Sequence, residues 1–243
     1  MWGNLENGFE AIYKSLVDVA QRDPLLVDKE GKNKQHKDGW GFLNLTRDSL
    51  FVKRVVTPLT VNSEKPTVKK GVVILHARLA APNEPMGILN VHPFHASDES
   101  YYVYLAHNGW FDKYQLSDNL GLRSVEKMND TEVFLKYVMS FEGNLYSRLD
   151  NALKESKERG FLKGGSNIFA LGIDRNNNEP SVYYHCDQSK EREFTEYNKL
   201  YKISNGEWSA VVSSSLTLSN FFPKEFQMGP LARSKLYVER LQL

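Results

Sequence analysis

The apolar residues Phe9, Ile12, Leu16 and Val19 recur at the spacing of one helical face, and the pattern stops before Asp23-Pro24, which predicts a first amphipathic helix. Residues 21–37 are charged and polar and read as a solvated loop with no chemistry to assign. Next come residues 40–45, 50–56, 71–76 and 101–107, rich in β-branched and aromatic side chains and separated by turn signals, so they read as strands of a central sheet. Asn129 and Glu132 stand at capping-box spacing ahead of the apolar face Val133, Phe134, Tyr137, Val138 and Phe141, which predicts a helix over 129–141; a second is expected from Leu145 to about Gly160. The last third returns to strands at 166–173, 181–185, 201–203 and 210–214, with 174–178 as a polar turn. Strands, then helices, then strands imply an α+β domain in which helices face sheets, with residues 1–243 as one unit.

Composition changes this picture only by exclusion. At 243 residues and 41% hydrophobic content the chain can bury a large core. With 31 basic against 30 acidic residues and no long block of one sign, neither nucleic acid nor an anionic membrane is favoured as a partner. The single cysteine, Cys186, excludes an internal disulfide and a thiolate-rich zinc site. No signal pattern opens the chain and no apolar run is long enough to span a bilayer, so a soluble, cytoplasmic protein is expected.

Four polar segments, two of them with glycine, stand at the ends of predicted elements: His36-Lys37-Asp38-Gly39-Trp40-Gly41, His76-Ala77-Arg78, Ala106-His107-Asn108-Gly109-Trp110 and Asn129-Asp130-Thr131-Glu132. Arg78, leaving an apolar strand, offers a planar fork for a carboxylate or forms an ordinary ion pair there. Asn108-Gly109 can aim a side-chain amide and a backbone N–H at one oxyanion, or be a plain hairpin turn. Asp130 can meet an ammonium group or only complement a helix dipole. His36, Asp38, His76, His92, His95 and His107 crowd the first half, but no His-Glu-x-x-His pattern is present, and His92-Pro93-Phe94-His95 reads as a loop; a metal-dependent hydrolase remains an alternative. Cys186 is the sole thiol, and its neighbour His185 would point to the other face of a strand, so burial is expected.

Taken in order and spacing, Asp38-Gly39-Trp40-Gly41, His76-Ala77-Arg78, His92-Pro93-Phe94, His107-Asn108-Gly109 and Asn129-Asp130-Thr131-Glu132 resemble the class II glutamine amidotransferases, which are N-terminal-nucleophile hydrolases. The strand Val211-Val212-Ser213-Ser214-Ser215 is similar to a late strand of their stand-alone members. The resemblance implies a four-layer αββα sandwich of mainly antiparallel sheets. It implies that Arg78 holds the substrate α-carboxylate and Asp130 the α-amino group, that Asn108 and Gly109 stabilise the oxyanion, and that His76 and residues 36–41 line the pocket. The implied substrate is glutamine or another γ-glutamyl compound, with no cofactor and no metal. The length leaves no room for a fused synthase, so the chain is expected to act alone, as an amidohydrolase, or to pass ammonia to a separate synthase.

The family attacks the amide with an N-terminal cysteine, whereas this chain opens Met1-Trp2-Gly3, and the helix at Phe9 follows so soon that the first family strand is expected to be missing. Two expectations follow: the catalytic residue lies upstream of Met1, or the chain is a non-catalytic, amino-acid-binding relative. Leu79-Ala80-Ala81-Pro82 after Arg78 lacks the small hydroxyl residue that many members carry, which leaves the exact substrate open.

Overall fold

The computed structural model describes residues 1–62 and 64–243. Its strands are β1 (Trp2–Asn4), β2 (Trp40–Leu45), β3 (Leu50–Val55), β4 (Lys70–Ala77), β5 (Phe94–Ser97), β6 (Tyr101–Phe111), β7 (Leu162–Asp174), β8 (Pro180–His185), β9 (Leu200–Ser204), β10 (Trp208–Ser213), β11 (Gln227–Pro230) and β12 (Tyr237–Arg240). The helices are α1 (Phe9–Gln21), α2 (Lys113–Leu120), α3 (Asp130–Met139), α4 (Leu145–Glu158) and α5 (Ser214–Thr217). Strands pair antiparallel throughout, in a seven-stranded sheet ordered β11-β9-β10-β1-β4-β2-β3 and a five-stranded sheet ordered β12-β8-β7-β6-β5.

Three apolar clusters glue the layers. Phe9, Ile12 and Val19 of α1 and Leu216 of α5 pack on Phe42, Val73 and Val212 on the outer face of the larger sheet. Val133, Phe134 and Val138 of α3 and Leu149 and Ala152 of α4 pack on Val103, Leu105, Ile168 and Ala170 of the smaller one. Between the sheets lie Trp2, Leu43, Val72, Ile74, Ala106, Leu171 and Tyr184. Alternate residues of one strand thus serve two different clusters, Val72 and Ile74 inward and Val73 outward on β4, as the period of two requires. The result is the αββα sandwich expected of the sequence.

Several details differ from the sequence reading. The chain opens on a strand: Trp2 pairs with both Val72 of β4 and Ser209 of β10, so β1 lies inside the larger sheet rather than ahead of nothing but a helix. Three residues containing a glycine give no alternation to read. Phe94 and His95, part of the segment read as a loop, instead open β5, which pairs with β6. Asn129 caps α3 through Thr131 N at 3.0 Å, while Glu132 approaches Lys136 instead of closing a capping box. Among the described residues, no helix is long and apolar enough to cross a membrane.

Candidate functional site

The inward face of the sandwich is filled at its middle and hollow at one end. Trp2 stacks on Phe169 and Tyr184 with ring centroids 6.1 and 5.9 Å apart. Towards the end of β4, the start of β7 and the end of β6 the inward positions become polar, and a cavity of about 260 Å³ opens. His76, Arg78, Asn108, Gly109 and Asp130 all line it, so the five residues singled out in sequence come together.

Arg78 continues the inward series of β4 and is 2% exposed. Its guanidinium donates to Pro85 O at 3.0 Å and to Met86 Sδ at 3.4 Å, a carbonyl and a weak thioether acceptor. Burial lowers its pKa, opposed by Asp38, Glu84 and Asp130 at longer range. Among the described residues no carboxylate lies within ion-pair distance of it, so the strand-end ion pair weighed from sequence is not formed.

Asn108-Gly109 is not a hairpin turn. Both residues lie within β6, opposite Asn167 and Ser166 of β7. A Cβ on Gly109 would stand 1.7 Å from Gly165 O, so only glycine permits this approach of the two strands. Asn108 Nδ2 reaches the Tyr197 hydroxyl at 3.5 Å, the long limit of a hydrogen bond. Burial pushes the Tyr197 phenol up to about 12, which keeps it neutral beside the amide.

Asp130 opens α3, where the Phe111 N–H donates to Oδ2 at 2.9 Å and the Thr131 N–H to Oδ1 at 2.8 Å. The helix start therefore anchors the carboxylate against β6 at the cavity wall. A second carboxylate, Glu84, lines the same wall and was not singled out in the sequence. Its Oε1 lies 3.3 Å from the buried Lys113 ammonium, and Asn129 Nδ2 donates to Oε2 at 3.3 Å. Burial, and then the charge of Asp130, raises its pKa.

Behind this wall sits a linked set of histidines. His107 must protonate Nε2 to donate to Gly165 O at 3.1 Å, which leaves Nδ1 to accept from the Thr131 hydroxyl at 3.0 Å. His92 Nε2 then donates to Thr131 Oγ1 at 3.1 Å, and its ring packs 4.1 Å from that of His76. A side chain on Gly41 would strike His92 O at 1.6 Å, so this glycine lets the His92 segment cross β2. Burial takes His76 down to about 3, His92 well below the usual imidazole range, and His107 lower as well, with Asp130 opposing the last. All three are neutral at pH 7; through Thr131, His107 ties α3 to β6 and His92 ties the segment ahead of β5 to α3.

The loop read as free of chemistry ends in the cavity. Asp23, 2% exposed, accepts from the Ser215 hydroxyl at 2.7 Å and from Leu25 N at 3.0 Å and lies 2.9 Å from His36 Nε2. Burial works against its ionisation, but the bonds from His36, Ser215 and Leu25 prevail and hold it below the usual carboxylate range. Asp23 is far in sequence from His36 and Ser215, so no local motif announces the cluster. Asp38, expected in the pocket loop, accepts instead from Ala80 N at 2.8 Å and braces the segment after Arg78. Cys186 is fully buried outside the cavity lining, with burial raising its thiol. Among the described residues no three His, Cys, Asp or Glu side chains are arranged to hold a metal ion.

No family model and no curated protein matches the chain. Among solved structures it is similar to the allosteric regulatory enzyme of purine biosynthesis, with 18% identity and a TM-score of 0.58 over 98% of this chain and 47% of that one. It is likewise similar to glutamine phosphoribosylpyrophosphate amidotransferase from B. subtilis complexed with ADP and GMP, with 19% identity and a TM-score of 0.57 over 98% of this chain and 48% of that one. The chain has their N-terminal-nucleophile-hydrolase-like fold. It spans about half the length of the solved proteins it matches.

Proposed function

We propose that the cavity is a class II amidotransferase-type site that binds glutamine or another γ-glutamyl compound by its amino-acid head and presents the side-chain amide to Asn108 and Gly109. The observation that carries this reading is the meeting, in one cavity, of a buried arginine with no ion-pair partner among the described residues, the neighbouring carboxylates of Asp130 and Glu84 and a strand-borne Asn-Gly. A zwitterionic head needs one fixed cation and one fixed anion, which Arg78 and Asp130 supply, with Glu84 beside Asp130. An amide carbonyl needs donors where its charge develops, which Asn108 Nδ2 and the Gly109 N–H supply. Ammonia released there would serve a synthase outside residues 1–243.

Binding without cleavage is the second reading, since the residues lining the cavity supply ligand groups but no thiol nucleophile. Met1 at the head of β1 lines the cavity, but a thioether has no proton to lose, and the one thiol, Cys186, is buried elsewhere. Calorimetry with L-glutamine and an ammonia-release assay with glutamine and γ-glutamyl peptides separate the two. We expect binding without ammonia from residues 1–243 alone, and ammonia from a form extended ahead of β1 so that it begins on a free N-terminal cysteine beside Asn108 and Gly109. Ammonia from the unaltered chain would overturn the binding-only reading; absence of glutamine binding would overturn both.

A further inference from the structure

β1 is three residues long, yet it lies inside the larger sheet between two longer strands. Trp2 pairs with Val72 of β4 and with Ser209 of β10, and both neighbours run on past the head of β1, β4 to Ala77 and β10 to Ser213. Two strands that flank a third stand about 9.5 Å apart, twice the usual spacing. Beyond Met1, β4 and β10 therefore face each other across a space one strand wide. The cavity follows from it: Ile12, Val19 and Leu216, on the outer side of this sheet, line the same hollow as Asn108 and Asn167 of the other sheet, which a continuous sheet would keep apart.

The edges of that space are peptide groups. Met1 N donates to Val73 O at 2.9 Å and Val73 N to Met1 O at 2.8 Å, while Arg78 N donates to Gly39 O ahead of β2; odd-numbered residues of β4 thus turn their peptide groups to the β1 side and even-numbered ones to β2. On β10, Asn4 N donates to Glu207 O and Ser214 N to Lys199 O, so here too the odd-numbered residues face the β1 side. Leu75, Ala77, Val211 and Ser213 all line the cavity, and their N–H groups meet no acceptor among the described residues. Buried backbone donors are paired in the great majority of cases, and a row of them on two facing edges is the complement of an extended peptide. The Met1 amine already makes the ladder bond of a peptide N–H; burial takes its pKa down to about 5, a cost that an uncharged peptide nitrogen in the same place would not carry.

We propose that the space is a strand slot that takes three residues of chain continuing β1 ahead of Met1, paired to β4 on one side and to β10 on the other. The existing register sets their places: the first opposite Ile74 and Val211, the second opposite Leu75 and Val212, the third opposite His76 and Ser213, where β10 ends. Trp2 belongs to the cluster between the sheets and Met1 to the outer one, so the first and third residues turn inward and the second packs under α1 beside Phe9 and Leu216. The slot stands on this geometry alone; its chemical use rests on the amino-acid reading of the cavity. An N-terminal cysteine three residues ahead of Met1 is turned into the cavity beside His76, which feels both the ring and the backbone of His107, the neighbour of Asn108. Two residues ahead, it is turned to α1.

Hydrogen exchange and melting temperature test the slot on residues 1–243 and on the same chain with Cys-Val-Thr or Cys-Thr placed ahead of Met1 as a free N-terminus. In the three-residue form the N–H groups of Leu75, Val211 and Ser213 should exchange about tenfold more slowly or better, that of Ala77, opposite no added residue, should be unchanged, and the melting temperature should rise. The two-residue form should leave Ser213 unprotected. Ala-Val-Thr, without the thiol, should protect as Cys-Val-Thr does. Unchanged exchange in both three-residue forms, or protection that ignores the length added, would overturn the slot. Ammonia from glutamine is expected with Cys-Val-Thr and not with Cys-Thr, and the reverse would overturn the register. Protection without ammonia from either form would uphold the slot and count against cleavage at this cavity, so the two failures are distinct.

Discussion

Asp187 and Arg78 are both charged and almost fully withdrawn from water, at 3% and 2% exposure, yet their surroundings are opposite. Around Asp187, Arg233 Nε donates at 2.7 Å, the Ser234 hydroxyl at 2.7 Å and the Gln188 N–H at 2.8 Å, and the Lys157 ammonium completes the set. Burial raises the Asp187 pKa, but the bonds from Lys157, Arg233 and Ser234 bring it down to about 2. Arg78 has a carbonyl, a thioether and a cavity. A buried charge saturated by its own chain holds the architecture together, whereas one facing a cavity with weak partners keeps its interaction capacity for a ligand. Asn167, whose Oδ1 has no partner among the described residues, stands nearer Arg78 in this division, and His107, bonded at both ring nitrogens, stands with Asp187.

Acid should separate the two kinds of region first and most strongly. His76 and His185, taken down to about 3 and about 4 by burial, and His92 and His107, also lowered, are neutral when folded. A folded pKa below the unfolded value of 6.5 means the unfolded chain binds more protons, so this stability is complete above pH 6.5 and is lost as the pH falls. A histidine as deep as His76 loses roughly 3 kcal/mol by about pH 4. Asp187, with a folded pKa of about 2 against 3.8, also loses its contribution on acidification, but only below pH 3.8. Urea unfolding across pH 8 to 3 should therefore show loss beginning near pH 6.5, with a second decline at the acid end; a flat profile between pH 7 and 5 would sink this account.

Mutation at the two charges sharpens the contrast. Asp187→Ala should destabilise at the lower end of about 3–5 kcal/mol, because Lys157 loses its partner while Arg233, with a side chain 43% exposed, can be rehydrated. Arg78→Met should change stability by less than about 1 kcal/mol, since it removes a buried charge that is in no ion pair among the described residues and feels Asp38, Glu84 and Asp130 only at longer range. Equal losses in chemical denaturation would break the distinction.

How far this was legible in sequence follows the same division. The long, patterned elements announced themselves: β2 has the expected bounds, and α3 and α4 differ from expectation only at their ends. Arg78, Asn108 and Asp130 could be picked out because each stands beside a strand or helix signal. What stayed hidden were elements too short to show a period, β1, β5, β11 and β12, and α2, whose Asp112 cap and left-handed Gly121 bracket a weakly apolar run. Asp23, Glu84 and Asn167 were missed because their meaning lies in partners brought from 192 residues away, as between Asp23 and Ser215, or in having no partner at all. Hydrogen-bond satisfaction is a property of the folded chain and leaves no mark on local pattern.

On the ligand side, Arg78→Lys keeps the charge but not the fork. Glutamine affinity measured by calorimetry should fall about tenfold or more, equivalent to about 1.5–3 kcal/mol for a charge-assisted hydrogen bond, while the melting temperature stays near that of the wild type. Unchanged affinity would move Arg78 to the architectural side with Asp187.

Glu84 lies between the two classes and gives the smallest and most discriminating test. It is partly paired, through Lys113 at 3.3 Å and Asn129 at 3.3 Å, yet it lines the cavity and is raised first by burial and then by Asp130. A substrate ammonium placed against Asp130 and Glu84 would relieve that repulsion, so the pair of carboxylates recognises a cation better than either alone. Glu84→Gln retains the shape and the bond from Asn129 but removes the charge. Glutamine should bind a few-fold to about tenfold more weakly, in line with one hydrogen bond of about 0.5–1.5 kcal/mol, while the deaminated analogue, which has no ammonium to recognise, should bind equally to both proteins. If the substitution weakened both ligands alike, Glu84 would be acting only through Lys113 and the start of α3, as part of the scaffold.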